Sequence, residues 1–116
     1  MGMSDDCLFC KMASGSMDVP KLHDDELVFA IRDINPRAPV HVLVIPKEHI
    51  VDGRYVTGEQ GAVMGRMFEV AAEAMRREGL ERRGYRIAFN VGEDAGMTVA
   101  HLHMHVLGGR RLGAEG

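Results

Sequence analysis

The sequence has no tryptophan, only two cysteines, and no apolar run approaching the roughly 20 residues a bilayer-spanning helix needs. No basic-then-apolar leader opens it. Neither a membrane span nor a secretory signal is therefore visible, and a cytoplasmic location is expected. An excess of one charge is also missing: the net charge is -3, and basic residues adjoin only as Arg76-Arg77, Arg82-Arg83 and Arg110-Arg111. That pattern argues against nucleic acid as a partner. Repeats, low-complexity tracts and linker-like stretches are absent, so residues 1–116 are expected to form one domain. A chain of 116 residues can bury a core, although subunit pairing would help it. Nine methionines and few aromatics suggest a pliable interior.

The two cysteines stand together as Cys7 and Cys10 in "CLFC". In a reducing compartment that spacing suits a metal half-site or a redox pair better than a structural disulfide. The stretch "DCLFCKMAS" reads as a short helix with Asp6 near its start. "DELVFAIRD" alternates Leu27, Phe29 and Ile31 as a strand does, and a turn rich in proline, "NPRAP", separates it from a second strand, "VHVLVIP". "PKEHIVDGRYV" reads as a loop with some helical character. The longest helix is predicted from about Thr57 to about Glu78. Thr57 and Gln60 have capping-box spacing, Gly79 is placed to end the helix, and Val63, Met67, Val70, Ala71 and Ala74 form its apolar stripe. "GYRIAFNVG" and "HLHMHVLG" read as two further strands, and a short one is expected near Pro20-Lys21-Leu22. The predicted class is α+β: a mainly antiparallel five-stranded sheet, one long helix and a short N-terminal helix.

Half of the six histidines fall within "HLHMHVLGG", residues 101–109. On a strand His101, His103 and His105 share one face, while Leu102, Met104 and Val106 share the other. The apolar face belongs against the long helix, so the histidine face is expected to meet water or a ligand. A single metal held by all three is ruled out by reach. At about 3.3 Å per residue the outer Cα atoms are roughly 13 Å apart, while zinc takes imidazole nitrogens at about 2.1 Å. Division of labour is expected instead, with one end histidine joining a metal and the others meeting substrate. Cys7, Cys10, His49 and His101 would make a closed tetrahedral zinc set, structural because no position is left for water. The alternative at this point is a free cysteine pair with an exposed His49.

"HLHMHVLGG" resembles the H-x-H-x-H signature of the histidine triad (HIT) family of nucleotide hydrolases and transferases. The resemblance also takes in "CLFCKM", "RDINPRAPVHVLVIPKEHI" and "GYRIAFNVGEDAGMTVAHLHMHVLGGR", which is nearly the whole chain. It is nearer to the small adenosine phosphoramidate hydrolases than to the diadenosine-polyphosphate hydrolase or galactose-phosphate uridylyltransferase branches. The resemblance implies a nucleotidyl-histidine intermediate on His103, with His105 and His41 contacting phosphate or supporting the nucleophile. Imidazole suits this role because its ordinary pKa of about 6.5 leaves it mostly neutral at pH 7. The other ring nitrogen then has to donate to a fixed acceptor, such as a backbone carbonyl, to hold the tautomer.

It further implies that Gly96, Met97 and Thr98 offer donors to phosphate and that Asn90 contacts the nucleotide. Asp33 would hold the ribose hydroxyls and Ile34 would pack on base or sugar. Asp33 would otherwise serve only to cap its turn. A zinc-carrying subset of the family matches Cys7, Cys10, His49 and His101 as a structural zinc site, with no catalytic metal required. His23 matches nothing and is read as a surface residue. A homodimer through the long helix and "GYRIAFNVG" is implied as well. After Gly109 the sequence reads "RRLGAEG", without the tryptophan and prolines of the best-known phosphoramidate hydrolases, so the leaving amine is not specified.

The expected activity is thus hydrolysis at the α-phosphorus of purine nucleoside 5'-phosphoramidates, AMP or GMP conjugates among them. The alternatives are a hydrolase of dinucleoside polyphosphates, nucleoside phosphosulfates or phosphofluoridates, a zinc-stabilised nucleotide-binding module with little turnover, and a metal-dependent hydrolase using an H-x-H pair.

Overall fold

Apolar residues at every position of "VFAI" and "VLVI" call for strands covered on both faces. The computed structural model, which describes residues 6–116, has them at the centre of one sheet. Strand β1 (His23–Asp24) and strand β2 (Val28–Arg32) form a hairpin whose turn is closed by Asp25, its Oδ1 accepting the N–H groups of Leu27 and Val28. β1 lies just beyond the predicted Pro20-Lys21-Leu22. Strand β2 pairs antiparallel with β3 (Val40–Pro46), Phe29 opposite Ile45 and Ala30 opposite Val44. With β4 (Tyr85–Ala88) and β5 (Met104–Gly108) the sheet has the order β1-β2-β3-β5-β4, every neighbouring pair antiparallel. β3 and β4, each antiparallel to the intervening β5, run parallel to one another, and the one long crossover between them carries the long helix.

Helix α1 (Leu8–Ser14) and helix α2 (Gly61–Arg77) lie on opposite faces. Val28, Ala30, Val42, Val44, Leu102, Met104 and Val106 pack with Val63, Met67, Val70, Ala71 and Met75 of α2. Phe29, Ile31, Leu43 and Ile45, the alternate residues of the same strands, pack with Cys7, Phe9, Cys10 and Met12 around α1. The capping box of Thr57 and Gln60 is present, but it closes a 3₁₀ turn, Gly58–Gln60, and the α-helix begins only at Gly61. Gly79 ends it at φ +76°.

The two C-terminal strands are shorter than the sequence suggests. The Leu102 N–H donates to the Ile50 carbonyl at 2.6 Å rather than to a strand, so β5 starts at Met104. The last pair between β4 and β5 is Ala88 with His105, which leaves Phe89 and Asn90 outside the ladder. At the far end Gly109, at φ +99°, turns the chain where a side chain would meet Pro39 Cβ at 2.9 Å.

Candidate active site and metal centre

The histidine face of this segment, expected to meet water or a ligand, is largely closed off from water. His101 is fully buried, while His103 and His105 keep 8% and 7% exposure. The reason is α1: the Phe9 ring stands edge-on to His103 at 5.1 Å and to His101 at 5.8 Å. The division of labour along the segment is nonetheless visible in the contacts, because the three rings join two separate clusters.

One cluster gathers Cys7, Cys10, His49 and His101, whose ligand atoms all lie within 4.8 Å of one another. Cys7 caps α1, its Sγ accepting the Cys10 N–H, so the two thiols are fixed side by side. Cys7 Sγ is 3.3 Å from His101 Nδ1, Cys10 Sγ is 3.1 Å from His49 Nδ1, and the two Nδ1 atoms are 3.1 Å apart. His101 Nε2 donates to the Pro46 carbonyl at 2.8 Å, which leaves the Nδ1 lone pair aimed at the cluster. Burial pushes the His101 pKa down to about 4, keeping the ring neutral. Imidazoles with the far nitrogen tied to a carbonyl are the arrangement of metal-ligating histidines. Separations near 3 Å fit a tetrahedron whose nitrogen–nitrogen edge is about 3.4 Å at zinc–nitrogen distances near 2.1 Å. The donor set therefore fits a metal such as zinc, with all four positions filled by protein.

The other cluster is wired head to tail. The Arg37 N–H donates to His41 Nδ1 at 3.1 Å, which fixes neutral His41 as the Nε2–H tautomer. His41 Nε2 then donates to His105 Nδ1 at 2.9 Å. His105 in turn has its proton on Nε2. Asp33 Oδ2 stands 3.3 Å from His41 Nε2, while Asp33 Oδ1 accepts the Asn35 N–H and closes the turn. Burial lowers the pKa of His41, opposed by Asp33 and reinforced by Arg37, and burial with the neighbouring rings and Arg37 brings His105 to about 4. His103 Nδ1 donates to the His101 carbonyl at 2.7 Å, so its lone pair is on Nε2. Among the described residues Nε2 makes no hydrogen bond, and none of the buried side-chain nitrogens or oxygens there lacks a partner, so Nε2 keeps contact with solvent. Asp33, His41 and His105 also converge closely enough to hold a metal. Two of their lone pairs are already engaged by N–H donors, however, and the Arg37 guanidinium, 3.4 Å from His105 Nδ1, disfavours a second cation.

The chain matches the model of the family described as HIT domain over residues 15–112. The chain belongs to the HIT family. It is 40% identical over 111 residues to the purine nucleoside phosphoramidase of Escherichia coli K12, covering 96% of this chain and 93% of that protein. The solved structure of a HIT family hydrolase from Legionella pneumophila superposes with a TM-score of 0.92 at 38% identity, covering 96% of this chain and all of that one. A HIT family hydrolase from Clostridium thermocellum gives 0.92 at 39% identity, with 97% of each chain covered. The five-stranded α+β architecture is thus that of the HIT fold, and the chain is a HIT hydrolase.

The remaining candidates lie in turns and loops outside the strands and helices. Ile34, 91% exposed, projects from the turn after β2, beside Asp33. Asn90 is half-buried just beyond β4. Gly96 takes φ +90° after a 3₁₀ turn, Glu93–Ala95, and is followed by half-buried Met97 and exposed Thr98. Thr98 lines a cleft of about 400 Å³ together with Cys7, Leu8, His49 and Val51, at the rim of the cysteine–histidine cluster. His23 is half-buried rather than free on the surface, its Nε2 2.6 Å from Asp25 Oδ2. Arg37 was not foreseen. The only trace of it in the sequence is its place four residues after Asp33 in "DINPR", which says nothing about contact with His105. No helix among the described residues is long and apolar enough to cross a membrane.

Proposed function

We propose that this HIT hydrolase cleaves the bond between the α-phosphorus and nitrogen of purine nucleoside 5'-phosphoramidates through a nucleotidyl-histidine on His103. The observation that carries the reading is the tautomer of His103: Nδ1 bound to the His101 carbonyl, Nε2 unshared. The Nε2 lone pair forms the bond to phosphorus while the P–N bond to the amine breaks, and the departing nitrogen takes up a proton from solvent that the attacking water of the second step returns. As the ring gains positive charge, the His101 carbonyl stabilises its Nδ1–H. Water then attacks the same phosphorus, releases the nucleoside monophosphate and returns His103 to its neutral form.

In this reading the Nε2–H of His105, backed by His41, donates to a phosphoryl oxygen. The Thr98 hydroxyl acts on the same group, a donor aimed at developing charge. The expected N–H donors of Gly96 and Met97 are instead already given to the Glu93 and Gly92 carbonyls, at 2.9 and 3.2 Å, and shape the loop. Asp33 accepts the ribose hydroxyls, Ile34 packs against base or sugar, and Asn90 completes the nucleotide contacts. The relay of neutral rings supports a mechanism with no catalytic metal. Cys7, Cys10, His49 and His101 would hold zinc as a structural ion that clamps α1 and the His49 loop to the start of the catalytic segment. A homodimer through α2 and the outer edge of β4 is part of the same proposal; β4 closes the sheet with one side unpaired among the described residues.

The test is to quench the protein during turnover of an adenosine phosphoramidate and map the adduct. An acid-labile AMP group on the peptide carrying His103 is expected. A label on another residue, or product without any adduct, would overturn the mechanism.

A further inference from the structure

Burial disfavours charge on His41 and His105, yet the reaction proposed above concentrates negative charge on a phosphoryl group. The charges that bear on both His41 and His105 are the Asp33 carboxylate and the Arg37 guanidinium. Among the described residues Arg37 has no carboxylate within salt-bridge distance, whereas Arg32, Arg54, Arg66, Arg76, Arg77 and Arg86 each have at least one. Of the arginines that share this, Arg82, Arg83, Arg110 and Arg111, none touches a histidine as Arg37 does. Its side chain is exposed, and its Nη2 rests 3.4 Å from His105 Nδ1. That contact is the poorer of two to one lone pair, since His41 Nε2 already reaches the same nitrogen at 2.9 Å. A neutral imidazole nitrogen accepts one strong hydrogen bond in its plane, so the guanidinium is a donor held in reserve.

The backbone of Arg37 is fixed while its side chain is exposed. Its N–H is bound to His41 Nδ1 and its carbonyl accepts Arg110 Nη2 at 3.0 Å. One short turn, closed by Asp33 Oδ1 on the Asn35 N–H, therefore presents a carboxylate at one end and an unpaired cation at the other. We infer that Arg37 is the cation of this site: its guanidinium leaves His105 and grips the non-bridging oxygens of the α-phosphoryl group of a nucleoside 5'-monophosphate or its derivative. The inference rests on the nucleotide reading of Asp33 and the triad. It adds the residue that supplies permanent positive charge to that phosphate. Planar, bidentate guanidinium is the chemistry suited to two phosphoryl oxygens, and lysine would replace it only in part.

Equilibrium binding tests this without requiring turnover. AMP and adenosine are titrated against the wild-type protein, Arg37→Gln, Arg37→Lys and Arg111→Gln, the last removing the same charge from an exposed position. Arg37→Gln keeps both backbone hydrogen bonds. It is expected to weaken AMP by about 10- to 100-fold, the range of a hydrogen bond to a charged group, and to leave adenosine unchanged. Arg37→Lys should recover part of the loss, and Arg111→Gln should leave the AMP-to-adenosine ratio at its wild-type value. Equal weakening of both ligands, no weakening of AMP, or an equal effect of Arg111→Gln would each overturn the assignment. If AMP binding behaves as expected while no phosphoramidate is hydrolysed, the Arg37 assignment stands and the proposed reaction falls. If the His103 adduct forms and Arg37→Gln binds AMP as the wild type does, the reverse holds.

Discussion

Two groups of histidines use the same side chain in opposite ways. At the cysteine end, His49 and His101 turn their Nδ1 atoms toward a common point, and the far nitrogen of His101 is anchored on the Pro46 carbonyl. At the other end His41 and His105 are chained donor to acceptor, so no point exists where free lone pairs converge. Convergent lone pairs with two thiols favour a cation. A donor chain beside an arginine favours an anion. The imidazole does not choose between these uses; the partner of its second nitrogen does. His103 stands next in sequence alternation, tied through Nδ1 to the backbone of His101, so the proposed nucleophile is oriented by a residue of the cysteine–histidine cluster.

The sharpest way to separate the two ends is to remove one ring at a time. His103→Ala is expected to lower turnover of an adenosine phosphoramidate by at least roughly 10⁴-fold, as loss of a covalent nucleophile does, with AMP affinity retained in calorimetry. Turnover within 10-fold of the wild type would reassign the nucleophile. Cys7→Ser should act on the opposite property. About one zinc per chain is expected in the wild type by metal analysis, none in the variant, and a fall in Tm on the order of 10 °C. An unchanged Tm with zinc removed would make the cluster a bystander to stability.

Acid should act on buried rings at both ends, since burial holds His101 near 4 as well, and substitution separates their shares. His105 sits near 4, below the ordinary 6.5, because burial penalises its charged form, and His41 is shifted the same way. The unfolded chain therefore takes up protons first as pH falls. Stability is fully present above about 6.5 and is lost as pH drops from there through about 4, with a limiting slope of about 1.4 kcal/mol per pH unit for each such ring. Urea midpoints across pH 4–7 should show this loss, and His105→Gln should reduce the slope. A slope unaltered by that substitution would place the pH dependence elsewhere. The smallest effect is expected from Thr98→Ala, about 3- to 10-fold in kcat/KM, the size of one neutral hydrogen bond, with AMP affinity nearly constant. No change in kcat/KM would remove Thr98 from the phosphate contacts.

The elements of the fold were legible wherever periodicity was strong. "VHVLVIP" gives β3 with its limits correct, and the stripe through Val63, Met67, Val70 and Ala71 faces the sheet as its spacing requires. The last stripe residue was less well read: Ala74 is only partly buried, and Met75 is fully so. "HLHMHVLG" misled over its first three residues. Alternation places side chains on alternate faces whether or not the backbone pairs, and Leu102 donates to Ile50 instead of a strand. The burial of the histidine face was invisible for a different reason: α1 comes from residues far away in the chain, and no local pattern says which face it covers.

What the sequence alone determined is the chemistry available: three imidazoles in alternation, a C-x-x-C pair, an acidic residue before a proline turn, and a helix and strands with unambiguous apolar faces. These follow from local propensity and side-chain period, which act over a few residues. Which imidazole meets sulfur, which meets another imidazole, and which keeps a free nitrogen was decided only when α1, β3 and β5 came together. Hydrogen-bond direction and burial depend on neighbours separated by 52 to 94 residues, as His49 and Cys7 are from His101. The Arg37 guanidinium beside His105, 68 residues away, is the clearest case, because an arginine in a turn has no tertiary partner until the fold supplies one.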